Sequence, residues 1–449
     1  MNVLIINGSP SGEESITLCT MRYIKKLFPD HRYKVLHVGR QIRKMEQEPE
    51  LWQKPLKAAD LIVFCYPVYT FLVPSQLHHF IELMKGSNLD LSEKYATQIS
   101  TSKHFYDITA HTYIEDNCFD MDLKVIHGLS ADMEDLLSEQ GRAEARSFFK
   151  SVLWNMENGF FEKKTVLTTK ARIKNTKIAD TRLKVKAPKR IVIVADYSNS
   201  EEGHLEGMCN RLASELPCKT EIVNIQEFPF YGGCLGCFHC AGNGKCIYKD
   251  GFDEFLRKHI QTADGIVYAY TIKDHSMGYR FKMFDDRQFC NGHRTVTMGK
   301  PVAYLVDGKL DLEPNLTLLM ESRAQVGGNA LAGIATNQYK PEQEIDRLAK
   351  TLCYMITEKY LPCKNFYGVG GMKIFRDLIW QMQGLMREDH KFYKKHNFYD
   401  FPQKKKGTIL LLYLVGAMVN NESIRKKMNG KMTEGMLMPY KKALKNSKE

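Results

Sequence analysis

Cys234, Cys237, Cys240 and Cys246 fall within thirteen residues, spaced C-x2-C-x2-C-x5-C, with Gly232, Gly233, Gly236, Gly242 and Gly244 threaded among them. Two-residue gaps let three thiolates converge on one metal centre, and the glycines permit the positive-φ turns that aim them. The opening run is a spacing used to wrap 4Fe–4S clusters. Zinc sites instead pair two separated C-x2-C knuckles. Spacing alone leaves three readings open: an iron–sulfur cluster, a zinc ion, or free thiols. Phe238 and His239 lie between two of the cysteines and can shape the surroundings of a metal, although His239 reads first as a loop histidine.

A second constellation lies near the N-terminus. Gly8-Ser9-Pro10-Ser11-Gly12 follows a strand pattern and leads into a helix, so Ser9, Ser11, Ser15, Ile16 and Thr17 sit at a helix N-terminus. Free amides and hydroxyls there can cradle one phosphate. An ordinary capped strand-to-helix turn looks the same, and Glu13 and Glu14 must point outward for an anion to bind. Tyr66-Pro67-Val68-Tyr69-Thr70-Phe71 places aromatics at a second strand end, where a flat ring can stack. Ser100, Thr101, Ser102, Lys103 and His104 form a third loop that can edge the same ring. A phosphate cradle, an aromatic wall and a polar third loop fit a mononucleotide with a flat base, FMN above all. The Gly-x-Gly-x-x-Gly of a dinucleotide site is not in the sequence.

Parallel doubly wound sheets position such loops, because ligands bind at the carboxyl ends of their strands. The periodicity predicts strands at 3–7, 33–38, 61–65, 95–100 and 123–127, with helices at about 15–28 and 74–84. A second set follows: strands at 190–195, 220–225, 263–269, 301–307 and 331–336, and a helix at 204–215. Ala263-Asp264-Gly265-Ile266-Val267 mirrors Ala59-Asp60-Leu61-Ile62-Val63, so the chain reads as a duplicated domain. The boundaries expected are 1–163 for the first domain, 164–188 for a linker or edge hairpin, 189–362 for the second domain and 363–449 for a basic, mainly helical extension. In the extension, Gly368, Gly370 and Gly371 read as a turn and 372–386 as a helix.

The second domain's first loop, Asp196 to Gly203, lacks Gly-Ser-Pro and carries three acids, which disfavours phosphate. Composition fits a globular protein, with 43% apolar and 26% charged residues. Met1–Gly8 opens on a strand pattern without a basic, apolar leader, so a cytoplasmic protein with reduced thiols is expected. The net charge of +12 is concentrated: residues 363–449 hold 18 Lys and Arg against 7 Asp and Glu, leaving the rest at +1. A nearly neutral body argues against nucleic acid as a partner. The basic tail reads either as a helical cap on the second domain or as a contact for an anionic membrane or protein. The apolar run 409–419, between Lys404–Lys406 and Arg425–Lys427, is too short to span a bilayer.

Gly8-Ser9-Pro10, Tyr66-Pro67-Val68-Tyr69 and the helix that follows resemble the NAD(P)H-dependent FMN reductases of the flavodoxin-like proteins. Residues 233–250, with Ala263-Asp264-Gly265 and Phe281–Arg287, resemble the iron–sulfur flavoproteins of that branch. The resemblance covers about residues 1–150 and 188–345. It implies two tandem flavodoxin-like domains, FMN in the first, NAD(P)H as electron donor, and a 4Fe–4S cluster on the four cysteines. In that family the cluster of one subunit lies near the flavin of its neighbour, so the duplication implies an intramolecular pseudo-dimer. Two departures stand out: the first domain has no cysteine cluster, and the second has lost the phosphate loop. The readings carried forward are an oxidoreductase passing electrons from FMN to the cluster, a cluster-free flavin, quinone or nitro reductase, and a non-catalytic electron carrier or binding protein. The electron acceptor and any homo-oligomer stay open.

Overall fold

The computed structural model describes residues 1–162, 190–198, 204–360 and 363–419. The expected linker, the end of the acidic loop (199–203) and Arg425–Lys427 lie outside the described residues. The chain divides into two compact units, residues 1–392 and a smaller one that begins at Tyr393.

The first unit holds both expected sheets. In the first domain β1 (Asn2–Asn7), α1 (Ile16–Leu27), β2 (Arg32–Leu36), α2 (Val38–Gln47), α3 (Glu50–Ala58), β3 (Leu61–Pro67), α4 (Ser75–Gly86), β4 (Tyr95–Ser102), α5 (Asp107–Asp120), β5 (Lys124–Val125), β6 (Leu129–Asp132) and α6 (Glu139–Glu157) follow in order. The sheet runs β2-β1-β3-β4-β5, with β6 also on β4, and every pairing is parallel. β3 is a continuous apolar run, buried on both faces as a central parallel strand must be. β2 at the edge is half exposed.

The second domain repeats the order with β7 (Arg190–Asp196), α7 (His204–Glu215), β8 (Lys219–Asn224), the short helices α8 (His239–Asn243) and α9 (Phe252–Phe255), β9 (Gly265–Thr271), α10 (Gly278–Arg287), β10 (Pro301–Asp307), α11 (Pro314–Gly327), β11 (Ala330–Thr336) and α12 (Pro341–Thr357). Its sheet, β11-β10-β9-β7-β8, has the same 2-1-3-4-5 topology and is parallel throughout. This is the flavodoxin-like strand order.

The two domains meet through α4 and α10, the helices that follow the third strand of each. Asp286 of α10 accepts from the Ser75 amide at the start of α4 (2.8 Å), and Glu82 of α4 accepts from the Tyr279 amide at the start of α10 (2.7 Å). Glu82 lies seven residues past Ser75 and Asp286 seven past Tyr279, and each caps the N-terminal amide of the other helix, so orphan amides are satisfied across the interface. The buried Lys282 pairs with Asp286, as His78 pairs with Glu82.

The extension does not behave as one piece. α13 (Phe366–Gln381) and the start of α14 (Arg387–Lys395) belong to the first unit, whereas α15 (Lys406–Val419) belongs to the second. The glycines expected to form a turn lie inside α13, which packs on α11. A Cβ on Gly371 would stand 2.4 Å from the Phe105 ring and 2.8 Å from Val326. These glycines let a helix approach closely, a use that sequence alone does not separate from a turn.

Candidate functional site

The loop after β1 is closed by its own polar groups. Asn7 Nδ2 donates to the Gly12 carbonyl (2.8 Å), and the Ser9 amide donates to Asn7 Oδ1 (3.2 Å). Ser15 is the N-cap of α1 and accepts from the Leu18 amide (3.4 Å). The Ile16 and Thr17 amides at the helix start remain for an anion. Glu13 turns outward to Arg22 and His37, and the His37 charge holds its carboxyl low. Glu14, expected to point away, lines the cavity that the loop borders.

The aromatic loop after β3 makes a two-residue turn, with Tyr69 and Leu72 exchanging backbone bonds of 2.7 and 3.0 Å. Its corners, Thr70 and Phe71, have φ of 45° and 69°. The left-handed region is costly for a β-branched residue, so neighbours must hold this turn. Lys282 Nζ donates to the Tyr69 carbonyl (3.0 Å) and to Thr70 Oγ1 (2.8 Å), and Thr70 Oγ1 donates to Asp286 (3.0 Å). The second domain has the same turn at Lys273–Ser276, with Asp274 and His275 at φ of 50° and 63°. The first domain's turn is therefore set by the second domain's helix.

The cysteine loop is anchored from beneath by Arg287. Its guanidinium holds Asp250 through two bonds of 2.8 Å, donates to the Gly232 carbonyl (3.0 Å) and lies 4.5 Å from the Tyr248 ring centroid. The loop then presses on the first domain. Gln76 Nε2 donates to the Cys234 carbonyl (3.3 Å), and Arg43 donates to the Tyr231 carbonyl (2.5 Å). Gly236 has φ of 62°, and a Cβ there would lie 1.9 Å from the Tyr69 hydroxyl. A glycine is required by the backbone and by the contact alike.

One cavity of about 500 Å³ joins these parts. It is lined by Ser9, Ser11, Ser15, Ile16 and Thr17 of the first loop, by Pro67 to Phe71, by Thr101 to Lys103, and by all four cysteines. Of the residues singled out in the sequence, Tyr66 stands apart: it is buried in the core and donates to Gln98 Oε1 (2.5 Å). Ser100, fully buried, and His104 are likewise not among the cavity-lining residues. His239 bonds Asn243 on the surface (2.8 Å), as a loop histidine does.

Sequence reading missed much of the wall, including Phe289, the segment His293–Thr297, Arg323, and Phe375 and Leu378 of α13. Phe289 meets Tyr69 edge-on at 5.9 Å. Their common signal is spatial, since each comes from an element that only the domain pairing or α13 packing brings over the site.

The Gly236 amide donates to Cys234 Sγ (3.5 Å), and Cys240 Sγ donates to the Phe289 carbonyl (2.8 Å). Burial pushes the Cys234 thiol far up and that of Cys240 to about 11, with Asp389, Cys237 and Cys246 adding to the latter. Cys234 and Cys240 are thus the poorly hydrated pair, whereas Cys237 is exposed. Among the described residues, no three His, Cys, Asp or Glu side chains are gathered closely enough to hold a metal ion.

Fold and site together define a tandem pair of flavodoxin-like domains in which three strand-end loops of the first domain and the cysteine loop of the second border one cavity. Residues 1–119 match the family model described as NADPH-dependent FMN reductase. An iron–sulfur flavoprotein of Clostridioides difficile (strain 630) is 26% identical over 226 residues, covering 44% of this chain and all of the relative. Solved structures with similarity include a quinone reductase from Klebsiella pneumoniae (15% identity, 35% of this chain, 85% of that one, TM-score 0.26). Another is an FMN-dependent NADH-azoreductase from Bacillus anthracis (11%, 34% and 99%, TM-score 0.28). The fold assignment rests on the strand order rather than on these.

Proposed function

We propose that the protein is an NAD(P)H-dependent FMN oxidoreductase that works in a reducing compartment and passes electrons from FMN in the first domain to a 4Fe–4S cluster on Cys234, Cys237, Cys240 and Cys246. The observation that carries this is the single cavity lined by the phosphate loop, the aromatic turn and all four cysteines. The donor set matches such a cluster in number and kind, four thiols on a glycine-bearing loop with the Gly236 amide bonded to one sulfur, and the loop would have to draw these thiols together to ligate it. When bound, flavin accepts hydride and a cluster accepts single electrons, so the pair converts two-electron into one-electron transfer. The chain's own part is placement. Ser15 and the amides of Ile16 and Thr17 hold the phosphate end, and Tyr69 and Phe71 wall the ring. Lys282 and Asp286 fix the turn that carries those aromatics, while α13 and Phe289 restrict water. The electron acceptor is left as a class, a one-electron partner.

The test is anaerobic purification followed by a visible spectrum, with iron and acid-labile sulfide assayed on the same sample. About four iron per chain beside flavin bands is expected, and each single Cys→Ser variant should lose iron while keeping flavin. Full iron in a Cys234→Ser variant refutes the ligand assignment. Flavin without iron in the wild type moves the reading to a cluster-free flavin or quinone reductase. A flavin-loaded protein that does not oxidise NAD(P)H with an artificial acceptor moves it to an electron carrier.

A further inference from the structure

The smaller unit carries a helix that this redox role does not use. α15 contains Ile409-Leu410-Leu411-Leu412-Tyr413-Leu414, and these six side chains are 43–75% exposed. Six consecutive helical residues, about 100° apart, point around the whole circumference. A globular surface helix confines its apolar residues to one stripe. A single protein groove covers one face and would leave the remainder of this girth in water. Acyl chains surround a helix on every side they reach.

The charge identifies the kind of lipid. Lys404, Lys405 and Lys406 stand exposed at the start of the helix, and from residue 393 onward the sequence holds thirteen Lys and Arg against four Asp and Glu. At about 1.5 Å per residue the described helix, Lys406–Val419, is roughly 21 Å long, short of the ~30 Å hydrocarbon core. Among the described residues no helix is long and apolar enough to cross a membrane. Insertion is therefore from one side, with lysine ammoniums left at the head-group level.

We propose that α15 docks the protein peripherally on an anionic lipid bilayer, its leucines among the acyl chains and Lys404–Lys406 on the head groups. The full chain, cosedimented with vesicles of equal parts phosphatidylcholine and phosphatidylglycerol, should pellet at low salt and be released as salt rises. It should bind far less to phosphatidylcholine alone. Each lysine near the surface is worth about fivefold, so the triple variant K404E/K405E/K406E should weaken partitioning by at least roughly a hundredfold. The pair L411D/L412D should abolish binding with the lysines intact, and flavin content should be unchanged in both variants. No pelleting of the wild type at low salt overturns the proposal, as does undiminished binding by L411D/L412D. It is also overturned if the wild type elutes as an oligomer that L411D/L412D returns to monomer while vesicles bind neither, because the helix is then covered by copies of itself.

Discussion

Asp286→Ala is the most informative single substitution. Asp286 and Lys282 are both fully buried. The Asp286 carboxylate caps the Ser75 amide, accepts from Thr70 and neutralises the Lys282 ammonium across the domain interface. Removing it leaves a buried cation without a counter-charge, which costs about 3–5 kcal/mol. That is a large share of the roughly 5–15 kcal/mol of a typical native state. At about 2–4 °C per kcal/mol, Tm should fall by roughly ten degrees. Lys282→Met should cost clearly less. Burial already raises the Asp286 carboxyl, so the stranded acid can take up a proton, and its two other donors stay in place. Because both residues hold the strained Thr70–Phe71 turn, each variant should also weaken FMN binding. The assay is urea and thermal unfolding of holoprotein, with an FMN titration followed by fluorescence quenching. If Asp286→Ala unfolds within about 1 kcal/mol of wild type, or if Lys282→Met is the more damaging change, the account of this pair in terms of buried charge fails.

Other consequences can be checked together. Gly236→Ala forces a left-handed alanine, about 1–2 kcal/mol, and pushes on the Tyr69 hydroxyl; FMN affinity should drop, whereas Gly251→Ala, with open space around its Cβ, should spare it. Burial lowers the His275 pKa, but the hydrogen bonds and charges of Asp120 and Glu313 outweigh it and hold it at about 9. A raised histidine stabilises the fold fully below its unfolded value of about 6.5 and loses that contribution as pH climbs through about 9. Urea midpoints measured across this window should fall for the wild type and flatten for His275→Gln. Phe375→Ala opens the α13 side of the cavity; flavin should exchange faster in stopped-flow release while its spectrum stays the same, and an unchanged release rate would remove α13 from the role of cover.

Much of this architecture was legible because local signals agreed with the global fold. Ser15 before Ile16 marks a helix start, and the apolar run from Leu61 to Cys65 marks a central strand. The same signals failed where one residue has two physical uses. Gly371 reads as a turn residue, but it removes a side chain so that a helix can touch Phe105. Tyr66, beside Pro67, reads as part of a ring wall, yet strand alternation turns it inward to Gln98. The capping of Ser75 by Asp286 and of Tyr279 by Glu82 leaves no local trace, since each carboxylate looks like an ordinary helix acid until the two domains are paired.

The reciprocal capping of α4 and α10 has a consequence for how such a molecule can change over generations. In a pair of identical subunits, every substitution appears on both sides of the axis, so neither half can surrender its phosphate loop without the other losing it too. Here the two halves share one polypeptide and are inherited as separate stretches of sequence. One could keep Gly8-Ser9-Pro10 while its counterpart filled with acids, and the other could keep the thiols. The covalent link also makes their encounter independent of dilution, fixing one aromatic turn to each cysteine loop however scarce the protein is in the cell.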